Sequence, residues 1–322
     1  MITIHMIIQN NQKTIQKAID SVSSLNANFL FADIGCTDKT ADICKKYGEV
    51  IRVNFRDDLS TIRNELCQKQ TDWNLQLEPW EEVLTGLDEI ENLDEGNYRC
   101  NIIQNTLITK PIRIWHKSKK IKYKNPVYEI IQGTAGPTGI YIRSTPPDMA
   151  DRNLKLLEVW KNKNPMAFEY HYYKACIFLT QNKWKEFIDL ANHFLFQEKK
   201  MTMASIMTRY YMATVYCYVL KDQRKALELL MYCFAEKPLM AEFWCLLGDV
   251  YYEADEYSKA KCFYENAKIL GSRRLNSDEW PFDISKYKNY PDKMITSCDE
   301  IISKAIKIGQ ISKTSLASSS PV

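Results

Sequence analysis

Three glutamates and one arginine near the start of the chain are of types that do chemistry at ligand sites. Glu78 and Glu81 stand three residues apart at the end of an apolar stretch, and Glu129 follows a lysine-rich stretch. Arg63 lies between Asp58 and Gln70, in a segment whose pattern predicts a helix. A positioned carboxylate can serve as a general base or bind a hard divalent cation, and a guanidinium can meet the charge of a diphosphate.

Alternating strand and helix signals would bring these residues together. The pattern predicts parallel strands joined by helices, and such sheets bind ligands at the carboxyl ends of their strands. Polar residues at two of these ends, Gln9, Asn10 and Asp33, therefore join the candidates. The predicted strands are Ile2–Ile8, Asn28–Ile34, Glu49–Asn54 and Trp73–Glu78, followed by an irregular β-rich region over 97–143.

A helical pattern with an internal repeat follows Pro146 and Pro147. A 34-residue frame that begins at Ala241 matches the tetratricopeptide pattern, and a second frame begins at Met207. Small residues in this pattern let paired helices approach closely, and an ordinary amphipathic helix pair is the alternative. The matches in the first frame are Trp244, Leu247, Gly248, Tyr251, Ala260, Tyr264 and Ala267.

Composition excludes several classes of protein. Lysine plus arginine number 43 against 40 acidic residues, and this net charge of +3 argues against binding to nucleic acid through a basic field. The 10 glycines form no GxGxxG or GxxxxGK motif, and the 10 cysteines and 4 histidines form no zinc motif. We expect a cytoplasmic protein without a membrane span, because no long apolar stretch, secretory leader or CxxC pair is present.

Five stretches of the first half resemble the family-2 glycosyltransferases of GT-A fold, in the subgroup with C-terminal tetratricopeptide helices and relatives among the sublancin-type peptide S-glycosyltransferases. The resemblance implies a Rossmann-like mixed α/β domain. It also implies inverting transfer of a sugar from a nucleotide diphosphate sugar, with uridine as the nucleoside, to a peptide, protein or glycan acceptor held by the helical repeat. The stretches are Ile8–Gln12, Asp33–Thr40, Asp57–Asn64, Thr71–Glu81 and Arg113–Glu129.

The resemblance also implies residue roles. Glu129, or else Glu81, would be the catalytic base, and Glu78 with Glu81 would bind Mn²⁺ or Mg²⁺. For Glu129 the alternative is an ion pair with a nearby lysine, and for Arg63 it is a structural pair with a carboxylate of the sheet. The predicted donor-binding residues are Gln9, Asn10, Asp33, Arg63 and Glu78.

The metal motif departs from the family pattern. The D-x-D sequence is replaced by Glu78-Pro79-Trp80, and Tyr128 takes the place of a histidine before Glu129. Tryptophan cannot bind a hard cation. A catalytically degenerate protein that acts as a partner-binding module is therefore an alternative, and an unrelated nucleotidyltransferase is another.

The sequence thus predicts four regions. An α/β domain spans 1–145 and an all-α tetratricopeptide-like domain spans 146–275. A segment over 276–311 packs back on them, and a serine-rich tail over 312–322 is disordered. The sequence does not define the oligomeric state.

Overall fold

The computed structural model describes residues 1–69, 71–198, 200–274 and 278–317. They form two compact units. The first comprises Met1–Ile177 and Glu279–Pro281 and contains a mixed sheet, and the second comprises Phe178–Asp278 and Phe282–Val322 and is helical.

The first four strands of the first unit are parallel, as the alternating pattern predicts. β1 (Ile2–Ile8) pairs with β2 (Ala27–Asp33) and with β4 (Trp73–Gln76), and β2 pairs with β3 (Gly48–Arg52). All seven residues of β1 are buried, as expected for a central strand covered on both faces. The connecting helices are α1 (Ile15–Asp20), α2 (Thr40–Cys44) and α3 (Leu59–Leu66).

Later strands turn this sheet into a mixed one. These strands are β5 (Glu81–Thr85), β6 (Asn97–Gln104), β7 (Leu107–Thr109), β8 (Ile112–His116), β9 (Tyr123–Lys124), β10 (Ile130–Ile131) and β11 (Gly136–Ser144). β8 pairs antiparallel with both β4 and β6, while β11 is parallel to β6 and antiparallel to β5. The main path runs β7-β6-β8-β4-β1-β2-β3.

The first unit extends past the predicted boundary at residue 145. Helix α4 (Ala150–Lys163) contributes Leu156, Leu157 and Trp160 to a core cluster that includes Ile7 of β1. The proline pair at 146 and 147 therefore marks where helices begin, whereas the compact unit ends at Ile177.

The second unit consists of successive helices. Gly248 of α9 lies against the ring of Tyr264 of α10, because an added Cβ would stand 2.5 Å from that ring, as expected for the close-packing position of the repeat. The helices from the end of the first unit onward are α5 (Glu169–Thr180), α6 (Trp184–Gln197), α7 (Met203–Tyr218), α8 (Gln223–Glu236), α9 (Ala241–Tyr252), α10 (Tyr257–Gly271), α11 (Ile284–Tyr287) and α12 (Tyr290–Ala317), and β12 (Phe282–Asp283) precedes α11.

The segment after α10 packs back onto α9. Glu242 accepts hydrogen bonds from the Asp283 amide at 2.8 Å and the Tyr287 hydroxyl at 2.7 Å, and the Tyr290 hydroxyl donates to Asp249 at 2.6 Å. Helix α12 continues to Ala317, so residues 312–317 of the predicted disordered tail are helical. Its remainder, 318–322, lies outside the described residues.

Candidate functional site

A cavity of about 770 Å³ lies in the first unit, at the carboxyl ends of strands β1 and β4. Its size falls within the range of small-molecule sites in proteins. Five of the predicted site residues line it together, as the strand-end argument anticipates. They are Gln9, Arg63, Glu78, Glu81 and Glu129.

Two arginines bind all three of these glutamates. Arg63 donates from Nη2 to Glu78 at 2.5 Å and from Nε to Glu129 at 2.9 Å. Arg113 donates to Glu81 at 2.9 Å and stands 3.4 Å from Glu78. The structural pair considered for Arg63 is therefore present, with Glu78 as the carboxylate. Glu129 also forms an ion pair, but its partner is Arg63 and not one of the nearby lysines.

Local structure fixes the position of Arg63. It lies on α3, whose first turn is capped because the Asp58 carboxylate accepts from the Thr61 amide at 3.1 Å. Its guanidinium also lies 5.7 Å from the ring centre of Tyr123, whose hydroxyl donates to Gln76. The capped helix α3 and the Tyr123 ring, which is itself bound to the side-chain amide of Gln76, thus fix the position of the Arg63 guanidinium.

Burial and neighbouring charges shift the pKa values of Glu78 and Glu81 in opposite directions. Burial would raise the pKa of Glu78, but Arg63 and Arg113 outweigh it and lower that pKa. Burial raises the pKa of Glu81, and the single close cation, Arg113, offsets this only in part. The Glu78 carboxylate is therefore the ionised partner that the arginines hold.

Arg113 and Arg152 are the residues at this site that were not among the candidates. Arg113 comes from β8, which the sheet places beside β4. Arg152 lies in the first turn of α4 and lines the cavity. Arg113 begins a stretch quoted for the resemblance, but nothing in the sequence shows which strand or helix face approaches the glutamates.

Asn10 and Asp33 do not line the cavity, and they stabilise the turn after β2. Asp33 accepts from the amides of Gly35 and Cys36 at 2.9 and 2.7 Å and pairs with Arg52 at 2.6 Å. Burial would raise the pKa of Asp33, but these donors lower it. Asn10 accepts from the Thr37 amide at 2.7 Å. Both side chains therefore have structural partners here.

The carboxylates do not fit the predicted divalent cation. Across the described parts of the chain, no group of three or more His, Cys, Asp or Glu side chains is placed to hold a metal ion. Glu78 already accepts from Gln76 and Arg63, and Glu81 accepts from Arg113 and the Glu78 amide. A cation would have to displace two guanidinium groups, which have the same sign of charge.

Comparison with known proteins gives no family. No family model matches the chain, and no curated protein matches it. Among solved structures, MamA from Desulfovibrio magneticus RS-1 is 17% identical, with a TM-score of 0.38 over 53% of this chain and 88% of that one. The Sgt2 TPR domain from Aspergillus fumigatus is 15% identical, with a TM-score of 0.35 over 44% of this chain and 83% of that one.

The predicted membership in the family-2 glycosyltransferases is wrong in the light of these comparisons. The similar structures named above are MamA and an Sgt2 TPR domain, not glycosyltransferases. Their TM-scores are too low to carry an argument about function. The chain has a mixed-sheet unit and a helical unit. Of the residues described, none belongs to a helix long and apolar enough to cross a membrane.

Proposed function

We propose that this chain is a non-catalytic binding protein whose helical unit docks a partner protein. The observation that carries the non-catalytic part of the proposal is the ion-pair network of Arg63, Arg113, Glu78, Glu81 and Glu129. A carboxylate paired with a cation is a weaker general base than an unpaired one, because the positive charge stabilises its ionised form. Each of these carboxylates is bound to a buried guanidinium, which is the arrangement of a structural ion cluster.

The inner face of α9 is not available to a partner. Glu242, Leu246 and Asp249 recur at helical spacing on one face and all are buried. Their polar members bond to Tyr287 and Tyr290, which follow α10 in the chain. The chain thus fills this face itself, and a partner must bind another surface of the helical unit.

The outward face of α8 offers such a surface. Met231 and Tyr232 are adjacent and expose 66% and 50% of their surface. Arg209 lies 5.2 Å from the centre of the Tyr232 ring. Methionine, tyrosine and arginine are the residue types enriched at protein interfaces, which favours this patch as the contact surface.

The test uses the full chain, immobilised and exposed to an extract of its source cells. The Met231→Glu/Tyr232→Glu variant is expected to reduce retention of at least one bound protein by about tenfold. Ser258→Glu, an exposed position on α10, is the matched control and should retain that protein. Glu129→Gln should retain it as well. Equal protein profiles for all four chains would contradict the proposal.

Sugar transfer from a nucleotide sugar with Mn²⁺ or Mg²⁺ stays an untested prediction, less favoured by the paired carboxylates. This alternative predicts that Glu129→Gln abolishes activity, whereas the binding proposal predicts no effect of that variant on partner retention. If the purified chain releases nucleoside diphosphate from a uridine diphosphate sugar, and Glu129→Gln abolishes that release, the chain is an enzyme and the proposal above fails.

A further inference from the structure

One cation in the cavity of the first unit lacks a carboxylate partner. Arg152 bonds through Nε and Nη2 to the Asn153 side-chain oxygen, at 3.2 and 3.1 Å. Among the described residues no carboxylate forms an ion pair with its guanidinium, although the side chain is partly buried. Burial lowers the pKa of Arg152, and the more distant Glu129 offsets this only in part.

A second donor at the same cavity is also unused. Arg63 is more than nine-tenths buried, and its Nη1 has no hydrogen-bond partner although its other two nitrogens bind glutamates. An unpaired buried donor costs about 1–3 kcal/mol in a folded protein, and more when it is charged. Arg63 Nη1 is enclosed by protein, so the guanidinium of Arg152 is the donor with unused capacity for an acceptor in the cavity.

The acidic residues of the cavity do not supply that acceptor. Glu78, Glu81 and Glu129 are held by Arg63 and Arg113, as described above. Asp148 accepts from the Ala150 amide at 2.9 Å, and Asp151 is exposed. The fourth lining arginine, Arg99, pairs with Glu279 at 2.7 Å.

The surroundings of Arg152 favour an anion further. It lies in the first turn of α4, a helix of 14 residues, and the positive end of a helix dipole attracts negative charge. Part of the remaining wall is apolar or aromatic, with Trp80, Ile112 and Val127. A ligand with one anionic group and an apolar or aromatic body matches both parts of the wall.

We propose that this cavity binds a small molecule through a phosphate or carboxylate group, which Arg152 holds, with the guanidinium of Arg63 in the same wall. Guanidinium binds both kinds of oxygen group through paired N–H donors. The site needs no metal and does not depend on the partner surface of α8.

The experiment is a calorimetric titration of the full chain with phenyl phosphate and with benzoate, which share an aromatic body and differ in the anion. At least one probe should bind, and Arg152→Gln should weaken it by about tenfold or more, the loss expected for one charged hydrogen-bond donor. Lys155→Gln is the matched control, because Lys155 is an exposed cation on the same helix and does not line the cavity. Its affinity should equal that of the unaltered chain.

Each outcome decides the matter. Preference for phenyl phosphate assigns a phosphate ligand, and preference for benzoate assigns a carboxylate. Without a probe, Arg152→Gln should unfold at the same temperature as the unaltered chain or higher, because the substitution removes a desolvated charge. Failure of both probes to bind, or equal weakening by Arg152→Gln and Lys155→Gln, overturns the proposal.

Discussion

Arg63 is the residue on which the buried network depends, because one planar guanidinium bridges Glu78 and Glu129. Lysine carries the same charge but cannot present two fixed donors to two carboxylates. Arg63→Lys should therefore leave one buried carboxylate poorly paired and cost about 3 kcal/mol of unfolding free energy. Urea denaturation at neutral pH measures this loss.

The control for that substitution is Arg52→Lys. Arg52 also pairs with a carboxylate, that of Asp33, but its side chain is 64% exposed. The expected cost is below about 1 kcal/mol, as for other exposed pairs. Equal losses for the two variants would show that the network around Arg63 is no more than a surface ion pair.

His5 makes the stability of the first unit depend on pH. It lies buried on β1 with Nε2 2.9 Å from the Asn74 oxygen, and burial lowers its pKa to about 4. The unfolded chain protonates this histidine near pH 6.5, so between these values the unfolded state binds more protons. Stability should therefore fall as the pH drops from about 7 to 5, by about 2 kcal/mol from this group.

The measurement is the urea unfolding free energy at both pH values. His5→Gln should remove about 2 kcal/mol of the pH dependence, whatever it does to the stability at pH 7. If the unaltered chain and His5→Gln lose the same stability between the two pH values, His5 titrates normally in the fold.

The sequence could predict which glutamates share the site but not which arginines pair with them. Glu78 and Glu81 follow β4, and strand ends of a parallel sheet meet at one edge, so their placement follows from the alternating pattern. Arg113 reaches them because β8 pairs antiparallel with β4, and that register depends on the whole sheet. The sequence offered the pairing of Arg63 with a sheet carboxylate as an alternative, but the pairing of Arg113 with Glu78 and Glu81 was beyond sequence reasoning.

At the scale of elements, the contact between α9 and α10 depends on the absence of a side chain at Gly248. An added Cβ would stand 2.5 Å from the Tyr264 ring, closer than carbon atoms approach. Gly248→Ala should thus destabilise the helical unit by about 2 kcal/mol, despite alanine's higher helix propensity. A thermal melt followed by circular dichroism measures the effect. Ser258→Ala, exposed on α10, should change the melt little, and a stabilised Gly248→Ala would refute this packing.

Asp249 joins four helices through one carboxylate. The hydroxyls of Tyr264 and Tyr290 donate to it at 2.7 and 2.6 Å, and the Tyr218 hydroxyl donates to its other oxygen. Asp249→Asn leaves one acceptor oxygen for three hydroxyls, so a loss of about 2–3 kcal/mol is expected. Chemical denaturation measures it. Asp255→Asn is the control, because exposed Asp255 accepts a single tyrosine hydroxyl, and an equal loss there would contradict the role of Asp249.

These helix contacts were partly readable in the sequence. The 34-residue frame located Gly248 and Tyr264 at their close-packing positions, because the pattern of small and aromatic residues reports a helix pair directly. The frame did not reveal that Tyr218 and Tyr290 converge on Asp249. Those tyrosines lie on α7 and α12, and helical periodicity within one segment carries no information about distant segments.

At the scale of the whole molecule, the change from β-rich to helical sequence and the end of the first compact unit fall at different places. Composition changes after Pro147, but α4 packs into the core of the preceding sheet through Leu156, Leu157 and Trp160. Periodicity identifies a helix and its apolar face. It does not identify the element against which that face packs, so the sequence alone assigned α4 to the helical domain.

This difference predicts how fragments of the chain will behave. A fragment of residues 1–145 lacks α4 and so loses Leu156, Leu157 and Trp160 from the buried cluster that contains Ile7 and Leu30. Burial of three large side chains contributes about 6 kcal/mol, comparable to the whole stability of many domains. We therefore expect the 1–145 fragment to be aggregated or unfolded. The 1–177 fragment should unfold in urea in a single cooperative transition. A cooperative transition in 1–145 would show that α4 is dispensable to the first unit. In the 1–177 fragment, Leu157→Ala should lower the unfolding free energy by about 3 kcal/mol and shift the urea midpoint to a lower concentration.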